Sequence, residues 1–398
     1  VDSDFGLIFG DIMVFSLASM ALRKAFLLGM GFVVWAQRAH CPVDRSFLRL
    51  PAAWSTMRVQ DRGDTLWVPV VFHLIASDSS RWLSASRVQD QLQALNRDFA
   101  PVKVQFYLPA RGPQGQPTCG ITWTLSALGA GHDYRTEEDT LKKLIFWPPD
   151  SFVNIWVVEN MADNTIGYAR ALSDSVSLPG IVLVQAVTGN RVGTQRPFDW
   201  GRTAVHEMGH VLSLLHPFEG GCAGLTPADC AIAGDEICDT PAQRDPHFGC
   251  PAPGSKNTCP DQPTDLPDPV DNLMGYVDDS CMTRFTPLQG QRMRTYLLTV
   301  GSALISPENQ QARGHALQES FCEAILALPQ PLRPTPALSI LPDRVEVTPP
   351  APLSLYDGMG RLLRQGYGSL STEGLSPGWY LLQLPTWGLV KKFFHLEP

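Results

Sequence analysis

The chain has 398 residues, 44% hydrophobic and 18% charged, which excludes a disordered polypeptide and leaves room for two folded domains. A net charge of −8 with no long basic run excludes a nucleic-acid surface as the organising feature. The 34 prolines, 33 glycines and nine cysteines predict many loops, linkers and cross-links.

Residues 20–37 place Arg23 and Lys24 ahead of an apolar run over 25–36. This is the pattern of a secretory signal peptide, too short for a membrane span. The stretch 1–19 before it reads as an over-extended gene start. Residues 38–62 are polar and without period, and predict a short pro-segment. Cys41 stands alone there. A thiolate is a good zinc ligand, so Cys41 can plug an open metal position and hold an enzyme latent; a disulfide partner or a lipid anchor are the alternatives.

The pattern turns globular at Trp67. A β-branched and aromatic run over 67–75 predicts a strand, with Pro69 at an edge or at its start. Ser86 and Gln89 stand at capping-box spacing, and Val88, Leu92, Leu95 and Phe99 recur at helical spacing, predicting an amphipathic helix over 87–99. Further strands are expected over 102–108, 152–158 (nearly all apolar, hence central) and 181–185, with a short edge strand over 166–170. His73 reads as a core histidine.

Residues 206–216 read His-Glu-Met-Gly-His-Val-Leu-Ser-Leu-Leu-His. His206 and His210 stand at i and i+4, on one helical face, with Asp199 a possible N-cap. His216 comes six residues later, so the chain has to turn near Ser213 to bring it back. Three histidines with an open fourth position make a catalytic rather than a structural zinc site. Glu207 lies where a carboxylate takes a proton from the attacking water.

From His216 to about 271 the chain is rich in Gly, Pro, Asp and Cys, and needs staples. Six cysteines fall between 222 and 281 without paired C-x-x-C spacing, which favours disulfides in an exported protein over a zinc ribbon. Asp235, Asp239 and the carbonyl of Thr240 are candidate calcium ligands, or else solvated turn acids. Thr286 and Pro287 open a helix running to about residue 300. Prolines over 329–352 mark a linker. Beyond it, short strands over 353–356, 361–363, 379–384 and 389–394, with turns at Asp357-Gly358 and Pro377-Gly378, predict a small all-β sandwich.

These residues carry a family resemblance. The three histidines with a methionine turn at Met274 resemble the metzincin metalloproteases, and the surroundings resemble the pappalysin family: Pro69-Val-Val-Phe-His73, Leu95-Asn-Arg-Asp-Phe99, Phe152-Val-Asn-Ile-Trp156, Gly201-Arg-Thr-Ala204, Asp239-Thr-Pro241, Asn272-Leu-Met-Gly-Tyr276, Asp278-Asp-Ser-Cys-Met282 and Phe285-Thr-Pro287. The resemblance implies an α+β metzincin catalytic domain over 63–303, with a twisted mixed sheet, backing and active-site helices and an irregular C-terminal subdomain. A linker over 304–337 and a small Ig-like sandwich over 338–398 would follow.

It further implies that His206, His210 and His216 bind zinc, that Glu207 is general base and then general acid, and that Met274 forms the floor beneath the metal. Tyr276 would hold the metal or stabilise the oxyanion, and calcium would brace the fold. Asp279 would line the S1′ pocket and select Arg, less often Lys, at P1′. Protein or peptide substrates would lie extended and antiparallel to an edge strand. The disulfides implied are Cys222–Cys250, Cys259–Cys281 and a local Cys230–Cys238, with Cys119 pairing with Cys322. One departure stands out: the family carries glycine where this chain has Ser213.

The segment from 338 resembles the type A sorting domain of type IX secretion substrates, in Leu355-Tyr-Asp-Gly-Met-Gly-Arg-Leu-Leu363, Leu375-Ser-Pro-Gly-Trp-Tyr-Leu-Leu-Gln-Leu384 and Leu389-Val-Lys-Lys-Phe-Phe394. That resemblance implies the type IX machinery as a partner and a secreted or outer-membrane location in a Gram-negative bacterium, for a chain expected to be a monomer. A surface adhesin keeping a dead protease scaffold is the alternative reading.

Overall fold

The computed structural model describes residues 61–190, 194–261 and 263–315, and strand segments between 337 and 395. The expected signal peptide, Cys41, Cys322 and most of the linker lie outside the described residues.

Six strands form one mixed sheet in the order β2-β1-β4-β6-β5, with β3 also pairing β1. They are β1 (Leu66–Ala76), β2 (Val104–Tyr107), β3 (Ile121–Leu125), β4 (Val153–Val158), β5 (Gly167–Arg170) and β6 (Gly180–Val184). All pairs are parallel except β5 with β6, so β5 is an antiparallel edge strand. Pro69 does not make β1 an edge. It sits where pairing with β2 ends, while pairing with β4 begins at Val70, so its missing N–H falls at a changeover between neighbours.

The strands are buried on both faces, and alternate residues enter different cores. Ile155, Val157, Ile181 and Leu183 join the core under α1 (Ala85–Phe99) and α3 (Arg202–Val211). Trp156, Val158, Val182 and Val184 face the other way, with Leu141 of α2 (Tyr134–Leu144). The pattern at 87–99 marks α1, but its cap is Ser84, whose side chain makes no capping bond; the Ser86 capping box does not form because the helix begins two residues earlier. Helix α2 packs Leu141, Tyr134 and Leu144 on the second core. It also buries an ion pair: Lys142 donates to Glu138 at 2.7 Å, and Arg170 of β5 grips the same carboxylate. His73 is fully buried, with its ring nitrogens on Thr122 Oγ1 (2.7 Å) and Asn154 Oδ1 (2.9 Å), as a core histidine requires.

After α3 the chain is irregular until α4 (Pro287–Thr299), opened by Thr286 and Gln289 in a full capping box, and α5 (Pro307–Ala312). Three disulfides staple this part: Cys222–Cys259, Cys230–Cys238 and Cys250–Cys281. The expected Cys222–Cys250 and Cys259–Cys281 pairs are therefore not formed: the partners of Cys222 and Cys281 are exchanged. The backbone explains why. The Arg244 N–H and guanidinium bond Thr258, setting Cys259 beside Cys222, and the Asp278 N–H bonds the Gly249 carbonyl, setting Cys250 beside Cys281. Loops of 37 and 31 residues are each worth roughly 3.5–4 kcal/mol in the chain-entropy account.

The C-terminal strands form two small antiparallel sheets. One has the order β10-β9-β12-β13 (Leu362–Tyr367, Pro352–Tyr356, Gly378–Leu384, Leu389–His395) and the other β11-β8-β7 (Ser369–Ser371, Arg344–Thr348, Ala337–Ile340). Val345, Val347, Leu353, Leu355, Leu370 and Leu382 share one apolar cluster.

Candidate active site

Every residue of α3 is buried, so the helix is held by contacts along its whole length. Its N-cap is Gly201 at φ 73, not Asp199. The acid that meets the free N–H groups comes from far along the chain: Asp279 Oδ2 accepts from Trp200 N (2.9 Å) and Arg202 N (3.1 Å). The Arg202 guanidinium bonds Asp98 of α1 and the Asp279 carbonyl. Gln91 of α1 donates to the Gly201 carbonyl.

The helix ends at Val211, and Ser213 turns the chain at φ 80, the sharp exit expected there. Leu214 N–H then bonds back to the Gly209 carbonyl at 2.9 Å, and the chain returns His216 to the face carrying His206 and His210. The three Nε2 atoms lie 3.1, 3.1 and 3.3 Å apart. Four tetrahedral ligands on a zinc at about 2.05 Å would stand roughly 3.3 Å apart. The opposite ring nitrogens have outer partners: His206 Nδ1–H donates to the Leu273 carbonyl (3.0 Å), His210 Nδ1–H to the Leu214 carbonyl (2.8 Å), and His216 Nδ1 faces Glu219 Oε2 at 3.8 Å. Carbonyls only accept, so the first two rings carry their proton on Nδ1 and turn lone pairs inward. Burial pushes His206 down to about 4 and His210 well below the usual range, so both are neutral near pH 7. Inward lone pairs at this spacing repel unless a cation sits among them, and the donor set fits zinc. This is the one His, Cys or carboxylate cluster of metal-binding geometry among the described residues.

Glu207 and Tyr276 line one cleft with His206, Gly167, Thr203 and Phe198. Gly167 on edge strand β5 lets the backbone pass over Glu207: a Cβ there would stand 3.2 Å from Glu207 Oε1 and 3.0 Å from Leu183. The Tyr276 ring packs on His216 (centroids 4.9 Å) and His206 (5.7 Å), with Phe218 stacked on His216 at 4.6 Å. Met274 is fully buried beneath α3, and a Cβ at Gly209 would run into its sulfur. Sequence reading passed over Gly167, Gly209 and Phe218. Only Gly209 carried a signal, a glycine in mid-helix at a cost of about 1 kcal/mol.

The other expected residues stand apart. Asp279 is fully buried and does not line the cleft; its neighbours Val277 and Met282 do, as does Phe198, whose preceding carbonyl accepts the Asp279 N–H. Its Oδ1 has no hydrogen-bond partner, and burial pushes its carboxyl up to about 6. Asp239 caps α4, accepting from Thr286 Oγ1 (2.6 Å) and Leu288 N (2.9 Å). Asp235 is separate and buried, its Oδ1 accepting from Ile237 N and its Oδ2 without a partner. Burial pushes Asp235 up to about 8. The Thr240 hydroxyl lies beside it, outside hydrogen-bonding geometry.

Comparison with known proteins agrees with this geometry. Residues 136–298 match the family model Peptidase_M43, described as pregnancy-associated plasma protein-A. An extracellular metalloprotease of Verticillium alfalfae is 34% identical over 246 residues, 59% of this chain and 77% of the relative. Among solved structures, mirolysin in complex with compound 9 superposes with a TM-score of 0.56 at 27% identity, over 63% of this chain and 99% of the other. A mutant of promirolysin from Tannerella forsythia gives 0.52 at 28%, over 61% and 84%.

Proposed function

The chain belongs to the pregnancy-associated plasma protein-A family of peptidases and is a metalloendopeptidase, and on that premise we propose that it is a secreted zinc enzyme, made latent, that cuts peptide bonds before arginine and less often lysine. The observation that carries this reading is the meeting of three inward Nε2 atoms, Glu207 and Tyr276 in one cleft beside the edge strand β5. His206, His210 and His216 would hold the metal. Zinc bound there supplies Lewis acidity to the scissile carbonyl and to water. The substrate lies extended and antiparallel along the outer edge of β5, in the manner of an added strand. Glu207, at the end of that strand, takes a proton from the attacking water and hands it to the leaving amine. The Tyr276 hydroxyl donates to the developing oxyanion, its ring held by His216 and Phe218.

Asp279 sets specificity in this reading. Its Oδ1 is buried and unpartnered, its near neighbours in sequence Val277 and Met282 line the cleft, and a guanidinium reaching past them would give the acid its missing partner. Asp235 would be a ligand of a structural calcium ion, because a buried carboxylate oxygen without a donor suits a hard cation, with the Thr240 carbonyl proposed as a second ligand. Asp239 does not fit, being committed to the cap of α4.

Secretion is supported by the extracellular relatives, and latency by a promirolysin among the structural neighbours. The signal peptide over 20–37, the Cys41 plug and the type IX sorting sandwich over 338–398 rest on sequence, the last also on two small sheets around one apolar cluster.

One set of measurements tests the reading. The full chain, expressed with zinc and calcium, is profiled on a peptide library with and without chelator, beside Glu207→Ala. Chelator-sensitive cleavage before Arg and Lys is expected; large apolar residues at P1′ would refute the specificity. Cys41→Ala should speed activation, and unchanged activation kinetics would remove Cys41 from the latency.

A further inference from the structure

Ser213 occupies the sharpest point between the second and third metal-facing histidines, three residues from each. It is fully buried at φ 80, a conformation in which a side chain is strained. Its hydroxyl is not idle. Arg292, reaching in from α4 and only 1% exposed, donates from Nε to Ser213 Oγ at 3.0 Å. The other arm of the same guanidinium donates to Glu236 Oε2 at 3.1 Å. Glu236 is itself left-handed, at φ 62. One planar, permanently charged group therefore joins two non-glycine residues that hold left-handed turns, one beside His216 and one in the irregular segment.

We infer that the Arg292 guanidinium is a strut that fixes the Ser213 turn and thereby positions His216 for metal. The inference rests on the reading of His206, His210 and His216 as zinc ligands. It explains what a serine does at a left-handed turn that favours glycine: glycine would relax the turn but offer nothing to hold, whereas serine trades ease of the turn for an anchor. Its backbone N–H still closes the helix on His210, so the hydroxyl is the added element. Arg292 touches neither substrate nor metal, so it acts through the turn.

The test is zinc affinity, read on the full chain by competition with a chromophoric chelator, with cobalt(II) absorption as a second readout of ligand geometry. Ser213→Ala keeps the Cβ and the backbone strain and deletes only the hydroxyl, so the comparison with the parent isolates the strut. Zinc should bind about tenfold more weakly or worse, the range that outer partners of metal ligands command, and the cobalt bands should shift. Arg292→Lys, which lacks the planar fork, should do the same. Ser213→Ala added to Arg292→Lys should weaken binding no further, because both remove one bond. A purely structural role would lower thermal stability of the zinc-free protein while leaving these metal readouts in place. Zinc affinity of Ser213→Ala within twofold of the parent, or full additivity in the double variant, overturns the strut. His216→Ala is the reference for the metal reading: a parent that binds zinc no better than His216→Ala overturns that reading and the strut with it.

Discussion

Asp279→Asn separates the helix-capping contact of this carboxylate from the specificity role proposed for it. Asp279 Oδ2 takes the N–H groups of Trp200 and Arg202 at the head of α3, while Oδ1 is buried and unpartnered. In the asparagine variant the amide oxygen keeps the two backbone donors, and the NH₂ replaces Oδ1. The helix stays capped, but the group at the buried Oδ1 position, which the proposed specificity assigns to a P1′ guanidinium, changes from an acceptor to a donor. Removing one partner of a buried, hydrogen-bonded charge pair costs about 3 kcal/mol, on the order of a hundredfold. The assay is the ratio of kcat/KM for two peptides differing only in arginine or leucine at P1′, in which the shared catalytic groups cancel. The parent should favour arginine, and Asp279→Asn should lower the ratio about a hundredfold. The same ratio should depend on pH. Burial raises the Asp279 carboxyl to about 6, so it is ionised above that and the arginine preference is full. Below it the acid gains a proton, and the preference should fall as pH drops. A variant of normal stability with the parental ratio at every pH would refute the assignment.

Three further outcomes are expected. Gly209→Ala gains about 1 kcal/mol of helix propensity but forces a methyl into Met274, an overpacking cost of 1–3 kcal/mol or so; urea unfolding should show a net loss, and a gain would mean that Met274 yields freely. Asp235 holds its proton in the metal-free fold up to about pH 8, while the unfolded chain releases it near the ordinary carboxylate value of 3.8, so the fold binds more protons across that window and loses stability as pH rises through it. Calcium favours the ionised form, so its gain in Tm should be larger at pH 8 than at pH 5, and equal gains would refute the site. Lys142→Met leaves the buried Glu138 with only Arg170 and should cost about 3 kcal/mol; pairing it with Glu138→Leu should recover part of that, and a neutral single variant would show the pair to be dispensable.

The sheet and the backing helix were legible because they obey periodicity: 67–75, 152–158 and 181–185 are apolar runs, and 87–99 is a helical stripe. Helix α2 was hidden because its buried face mixes Leu141 with Glu138 and Lys142, and the two charged residues read as solvent-facing until a tertiary contact pairs them. The Thr286 cap of α4 was legible from its own sequence, but the cap expected for α3 failed for a related reason. The acid at the head of α3 is Asp279, 77 residues from Arg202, and no local motif announces it. The exchanged disulfides were beyond reach, since they follow from loop-to-loop bonds at Thr258 and Gly249. His206, Glu207, His210, His216, Met274 and Tyr276, by contrast, are the residues the fold brings to one place, because helical spacing and a short turn nearly dictate their geometry.

The way α3 is held links these points. The segment from Asn272 to Arg292 holds the start, middle and exit of the helix. Asp279 holds its first turn, the Met274 sulfur fills the notch at Gly209 in its middle, and Arg292 grips Ser213 at its exit. Leu273 of the same segment fixes the His206 ring through its carbonyl. Ten consecutive buried residues would need no such attention as a core helix, since apolar packing alone would seat them. Three imidazoles that must converge within about 3.3 Å need more than packing, because a helix can slide or roll by an ångström at small cost in buried area. Polar contacts at start and end, with a steric lock between them, remove both motions. The Cys250–Cys281 bridge and the Asp278–Gly249 bond tie that clamping segment to the irregular subdomain. The disordered-looking composition after His216 is thus what allows one stretch of chain to reach three places on a single helix.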